Sequence, residues 1–142
     1  MKTKEAKKYL MQLKKLDLLI ENKMAEKAHW ISIATNTTAN TSGEKVQSTS
    51  NPQKMEAAVC RYVDMEREID ACIDRFVDAK KEIISVIEQL PPDEYDLLHK
   101  VYVQYKSLKE VSALYVKSYN WATTVHGTAL KHVSDIIEAK KS

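Results

Sequence analysis

The sequence predicts an all-α protein: a long antiparallel helical hairpin, coiled-coil-like, followed by a C-terminal three-helix unit with a helix–turn–helix. Three observations carry that expectation. Two Gly and three Pro in 142 residues leave little material for the turns of a many-stranded sheet. Apolar residues recur at steps of three and four, the period of a helix face, through most of the chain. Helix-start signals stand where the striped segments begin: Asn51 before Pro52, Ser107 three residues before Glu110, and Ser118. A hydrophobic fraction of 44% is enough for a core and argues against global disorder.

Residues 3–35 place Tyr9, Leu10, Leu13, Leu16, Ile20, Met24, Ala28, Ile31 and Ala34 at helical spacing. Lys7, Lys8, Lys14, Lys15, Glu21, Lys23 and Glu26 fall between them as a solvated face. No Gly or Pro interrupts the run, so one helix of about 30 residues is expected, roughly 45 Å at 1.5 Å per residue. Residues 1–27 hold eight Lys against four acids, a local +4. An exposed helix face is the plain reading of that excess; a phosphate-tracking patch is the sharper one. Trp30 is expected to cap the hairpin core or to anchor a partner.

Residues 35–52, rich in Thr, Ser and Asn around Gly43, read as a loop or hinge. Asn36 and Asn40 head N-x-[ST] triplets, chance matches in such a segment without a secretory signal. Asn51 and Pro52 then cap and open a second helix. Its expected seam is Met55, Val59, Tyr62, Ile69, Ile73, Phe76, Ile83, Ile87 and Leu90, with Glu66 and Lys80 at two gaps in the heptad. Pro91 and Pro92 end it at Leu90. Residues 53–90 carry six basic against nine acidic side chains, −3, which complements the first helix. Val63, Met65, Val77 and Ile84 widen the stripe beyond what one partner helix covers, and a homo-oligomer is expected to use the excess.

A third helix is expected over 92–105, with Asp93 and Glu94 favoured at its N-terminus and Tyr95, Leu97, Leu98, Val101, Tyr102 and Tyr105 on its apolar side. Ser107 to Glu110 is a capping box that opens a short helix through Leu108, Val111 and Leu114. Val116-Lys117 is the turn, and Ser118 caps a last helix from 119 to about 140. Ala122, Val125, Ala129, Val133, Ile136 and Ile137 mark its buried side. The domains expected are thus 1–90 and 91–142.

The opposite side of that last helix is the candidate functional surface. A helix–turn–helix lays its second helix in the major groove of double-stranded DNA. Asn pairs with adenine edges, Thr meets base edges or the thymine methyl, and Lys meets phosphate. The candidate DNA-binding residues are Lys117, Ser118, Tyr119, Asn120, Thr123, Thr124, Thr128 and Lys131.

Other chemistry is weaker. His99, His126, His132, Cys60 and Cys72 lack close metal-ligand spacing, so no metal or cofactor is expected, and the histidines read as polar helix surface. The acids Asp64, Glu68, Asp70 and Asp74 stand without a nucleophile, base or Gly-rich loop, which argues against an enzyme. Trp121 is expected to pack on Leu108 or Tyr102. No apolar run nears the roughly 20 residues of a membrane span, and MKTKEAKKYLMQLKK has no signal-peptide core. Cys60 and Cys72, about 18 Å apart along one helix, cannot pair within it. A reducing cytoplasm is the expected location.

Several segments together bring a family to mind. They are YLMQLKKLDLLIENK at 9–23, GEKVQS at 43–48, KMEAAVCRYVDMEREID at 54–70, IISVIEQLPPDEYDLLHKVYV at 83–103, SLKEVS at 107–112 and SYNWATTVHGTAL at 118–130. From Lys8 to Leu130 the chain resembles small phage and prophage proteins of Gram-positive bacteria related to the RinA and ArpU late-gene transcriptional regulators. Their C-terminal part is similar to region four of sigma factors. The resemblance implies a DNA-binding regulator of phage genes, with host RNA polymerase as a further partner. The chain departs from the family at three places: Ser112 stands for an alanine, Tyr115-Val116 for Leu-Gly, and threonines for groove-facing arginines. A β-branched residue at the glycine position implies a costly or reshaped turn. The second functional expectation is a protein-interaction module, docking on RNA polymerase or serving phage packaging and assembly, with a degenerate helix–turn–helix.

Overall fold

The computed structural model describes residues 2–35 and 52–141, and among them every regular element is helical. The elements are α1 (Lys2–Leu10), α2 (Gln12–Thr35), α3 (Pro52–Ile87), α4 (Pro92–Leu98), a π-helix (His99–Val103), α5 (Leu108–Leu114) and α6 (Tyr119–Lys141). The loop expected over 35–52, with Asn36, Asn40, Gly43 and the Asn51 cap, lies outside the described residues apart from its two ends. By packing, the chain forms two compact units, one of Met1–Leu16 with Phe76–Ser142, the other of Asp17–Arg75.

In the Asp17–Arg75 unit, α2 and α3 pair antiparallel. Lys23 Nζ meets Glu68 Oε1 at 2.9 Å and Lys27 Nζ meets Glu66 Oε2 at 3.8 Å, so partner numbers fall as α2 advances. Arg61 reaches the other oxygen of Glu68 at 3.3 Å. Ile20, Ala34, Ala58, Met65, Ile69 and Cys72 are buried. The packed row on α3 is therefore Ala58, Tyr62, Met65, Ile69 and Cys72, in steps of four and three. The same alternation continues along the helix through Phe76, Ala79, Ile83 and Val86.

Four positions of the expected seam are displaced by one residue. Ala58, Met65, Cys72 and Ala79 take the places assigned to Val59, Glu66, Ile73 and Lys80, and the two gaps disappear. A one-residue shift rotates a row by about 100°, and it leaves Val59, Val63 and Ile73 exposed. On α2 the same correction applies beyond Ile20. Met24 and Ile31 are exposed, while the half-buried Lys23, Lys27 and Trp30 line the seam. The lysines lay their methylene stems along it and hold their ammonium groups on acids. Met24, Ile31, Val59 and Ile73 each follow a seam residue by one. In an antiparallel pair that places them on the same side of the hairpin.

In the other unit, α6 is the hub, packed against α1, α4 and α5. The core joins Leu10 and Leu13 to Ile83, Val86, Ile87, Leu97, Leu98, Val111, Ala122, Ala129 and Val133. Burying each large apolar side chain contributes roughly 1.5–3 kcal/mol. Tyr9 Oη donates to Glu82 Oε2 at 2.8 Å.

Three boundaries differ from expectation. The first long helix is interrupted at Met11. There Gln12 Nε2 donates to the Tyr9 carbonyl at 2.9 Å, the acceptor an unbroken helix would offer to the Leu13 amide, a recognised cause of bending. The second helix is regular only to Ile87. Gln89 and Leu90 tighten into three-residue bonds to Val86 and Ile87, at 3.2 and 3.0 Å, before the prolines. The expected 92–105 helix is α-helical only to Leu98 and continues as the π-helix.

Candidate nucleic-acid interface

The helix–turn–helix is built from local bonds. Ser107 Oγ accepts from the Glu110 amide at 3.1 Å, and Glu110 Oε1 accepts from the Ser107 amide at 2.9 Å, the reciprocal capping box. The bond from the Ser107 amide, with the Ser107 hydroxyl, holds the Glu110 carboxyl below its usual range. At the far end of α5 the Val116 amide donates to Ala113 O at 3.1 Å and the Lys117 amide to Ser112 O at 2.9 Å. Together these form a complete Schellman motif. The residue in its left-handed position is Val116, at φ 56. The turn is thus kept with a valine where glycine is favoured, and Val116 is 91% exposed. Ser112 is buried, and its hydroxyl donates back to Lys109 O at 2.8 Å, so a serine fits the close packing without an unpaired donor.

Ser118 caps α6 by accepting from the Trp121 amide at 3.0 Å. Ala122, Ala129, Leu130, Val133 and Ser134 are buried, with Val125, Ile136 and Ile137 partly so. This fixes which side of α6 faces out. Asn120, Thr124 and Lys131 fall on one outward row. Tyr119 and the half-buried Thr123 flank it on one side, and the exposed Thr128 on the other. The candidates before the helix are not part of the row. Ser118 is committed as a cap, and Lys117 Nζ sits 5.9 Å over the Trp121 ring.

One residue of that face was missed by sequence reasoning. Gly127 lies between Thr124 and Lys131, and a Cβ built there meets nothing within 4 Å. Glycine inside a helix costs about 1 kcal/mol relative to alanine, and among the described residues no close contact requires it. The signal in the sequence was a lone glycine mid-helix on a polar face.

The threonine hydroxyls are partly occupied. Thr123 Oγ1 donates to Asn120 O at 2.9 Å and Thr128 Oγ1 to Thr124 O at 3.1 Å. Trp121 packs edge-on to Tyr115, ring centroids 5.4 Å apart. Lys100 Nζ lies 5.7 Å from the Tyr115 centroid and 2.9 Å from Asp96.

The histidines expected as free helix surface are engaged. Tyr102, on the π-helix, places Oη 2.7 Å from His126 Nε2, with the rings stacked at 18°. Burial, and then the Lys7 charge, push the His126 pKa down, while burial pushes Tyr102 up to about 12. His132 Nδ1 lies 2.6 Å from Oε1 of the buried Glu94, so Glu94 ties α4 to α6 rather than only capping α4. His99 Nδ1 is 2.9 Å from Gln104 Nε2.

Among the described residues no group of three or more His, Cys, Asp or Glu could hold a metal ion, and no helix is long and apolar enough to cross a membrane. Cys60 is exposed, Cys72 buried, and both are free thiols. Compared with protein-family models, curated proteins and solved structures, the chain has no match.

Proposed function

We propose that the protein is a phage or prophage transcriptional regulator that binds double-stranded DNA through α6 in the cytoplasm of a bacterial host. The observation that carries this reading is the outward row Asn120, Thr124, Gly127 and Lys131 on a helix held by a capped helix–turn–helix. The fold does not use that row, and Gly127 leaves the helix backbone open to close approach. In this reading residues 119–131 enter the major groove and Lys131 meets phosphate. Residues 107–142 hold five Lys against three acids. Such a small excess supplies few phosphate contacts, so two copies joined through the exposed side of the hairpin, with Met24, Ile31, Val59 and Ile73, bind together. Replacing Asn120 and Thr124 with Ala tests it. Binding to the phage's own late promoter region falls under this reading; unchanged affinity at moderate salt rejects it.

A second reading has its own support. Leu114, Val116 and Tyr119 are exposed around the turn, an apolar knob suited to protein contact, as in docking on host RNA polymerase or in phage packaging and assembly.

A further inference from the structure

We infer that the outward face of α6 reads A·T base pairs in preference to G·C pairs, with Asn120 on adenine and the methyl groups of Thr124 and Thr128 against thymine. The inference rests on the DNA-binding reading and adds the base composition of the site. Guanine offers two acceptors, O6 and N7, in the major groove, and the side chains that answer both are Arg and Lys. From Tyr119 to Leu130 the chain has neither. The first cation on the face is Lys131, twelve positions along and about 18 Å from the N-terminal end that enters the groove.

The hydroxyls of Thr123 and Thr128 do not fill that role. Thr128 Oγ1 donates to Thr124 O at 3.1 Å and Thr123 Oγ1 to Asn120 O at 2.9 Å, inside the helix. With those donors spent, Thr123 and Thr128 offer lone pairs and a methyl. Lone pairs accept from the adenine N6 and the cytosine N4 amino groups alike, so it is the methyls that favour one pair over the other. Methyls pack on the thymine C5 methyl.

Asn120 completes the set, because its carboxamide matches adenine N6 and N7 with one donor and one acceptor. Asn120 and Thr124 are four residues apart, about 6 Å along the helix axis, close to two base-pair steps at roughly 3.4 Å each. Gly127 lowers the helix surface between Thr124 and Lys131, so base edges reach the row without a Cβ in the way.

The test uses the full-length protein and fluorescence anisotropy on short duplexes at moderate salt. The duplexes are one rich in A·T, one rich in G·C, and the first remade with uracil for thymine. The expected result is A·T binding tighter than G·C by about tenfold, the discrimination of one good bidentate contact. Uracil substitution, T124S/T128S and N120A each cut that preference, N120A the most. Equal or tighter binding to the G·C duplex overturns the inference and leaves the DNA-binding reading standing. A preference unaltered by uracil and by N120A also overturns it, since groove width rather than base edges then sets the choice. Failure to bind any duplex at low salt overturns both readings.

Discussion

The Lys117 amide donates to the Ser112 carbonyl at 2.9 Å, closing the turn between α5 and α6 around a valine held at φ 56. Left-handed geometry costs a residue with a Cβ roughly 1–2 kcal/mol. Val116→Gly removes that strain and is expected to stabilise the protein by about 1 kcal/mol, net of the greater freedom glycine gives the unfolded chain. Val116 is almost fully exposed, so no packing is lost. Denaturant melts of both proteins measure it; a destabilised glycine variant would mean that the turn does not hold this conformation.

The register of the hairpin predicts opposite outcomes for two residues on α3. Met65 is fully buried, and Met65→Ala is expected to cost about 3 kcal/mol. Ile73→Ala, on the exposed side, is expected to shift unfolding of the isolated chain by no more than about 0.5 kcal/mol. It should weaken self-association seen by sedimentation. The reverse ranking in stability would restore the heptad that runs through Ile73.

His126 gives the stability a pH dependence. Its folded pKa is below the ordinary value because burial and Lys7 oppose the charge. At pH above about 6.5, the unfolded value, both states are neutral and the full stability is present. As pH falls through that value, the unfolded chain takes up a proton the folded chain resists, and stability declines until the folded pKa is reached. His99, lowered mainly by burial, acts in the same direction. Denaturant melts from pH 7.5 to 5 should show the decline, and His126→Gln should flatten it. An unchanged slope in the variant would assign the effect elsewhere.

Gly127→Ala separates folding from binding. Alanine is expected to stabilise α6 by about 1 kcal/mol, with no clash inside the protein. It should weaken DNA binding, because the methyl stands in the row that approaches the groove. Thermal melts and anisotropy on one preparation read both. A variant that is more stable and binds as well as the parent would remove Gly127 from the interface.

What was legible in the sequence is local. Ser107 with Glu110, Ser118, Pro52 and the buried side of α6 are short-range signals whose spacing alone defines them. What was not legible depends on partners distant in sequence or on choices between near-equivalent faces. The α3 sequence holds two apolar rows a residue apart, and Val59 and Ile73 outweigh Ala58 and Cys72 in any hydropathy pattern. Packing selects the smaller residues of the second row. Lys23 and Lys27 look like solvent face until Glu68 and Glu66 are placed opposite them. The break at Met11 coincides with a side-chain bond from Gln12, and the π-helix at His99–Val103 leaves the apolar period of the segment nearly intact. Within the candidate site, the outward row was readable from period. The cap role of Ser118 is local, but the Lys117–Trp121 contact and the open space at Gly127 needed three dimensions.

If the outward row of α6 lies in the DNA major groove, duplex affinity depends on salt and on the side chains of that row. Anisotropy on the late promoter region, measured over a series of salt concentrations, compares the parent with Lys131→Ala and with Asn120→Ala/Thr124→Ala. Affinity should fall steeply and linearly on a log–log plot. Lys131→Ala should reduce the slope by about one, and the double variant should lose affinity with the slope unchanged. A parent with no salt-dependent binding, or three proteins with the same curve, would contradict that placement of the row.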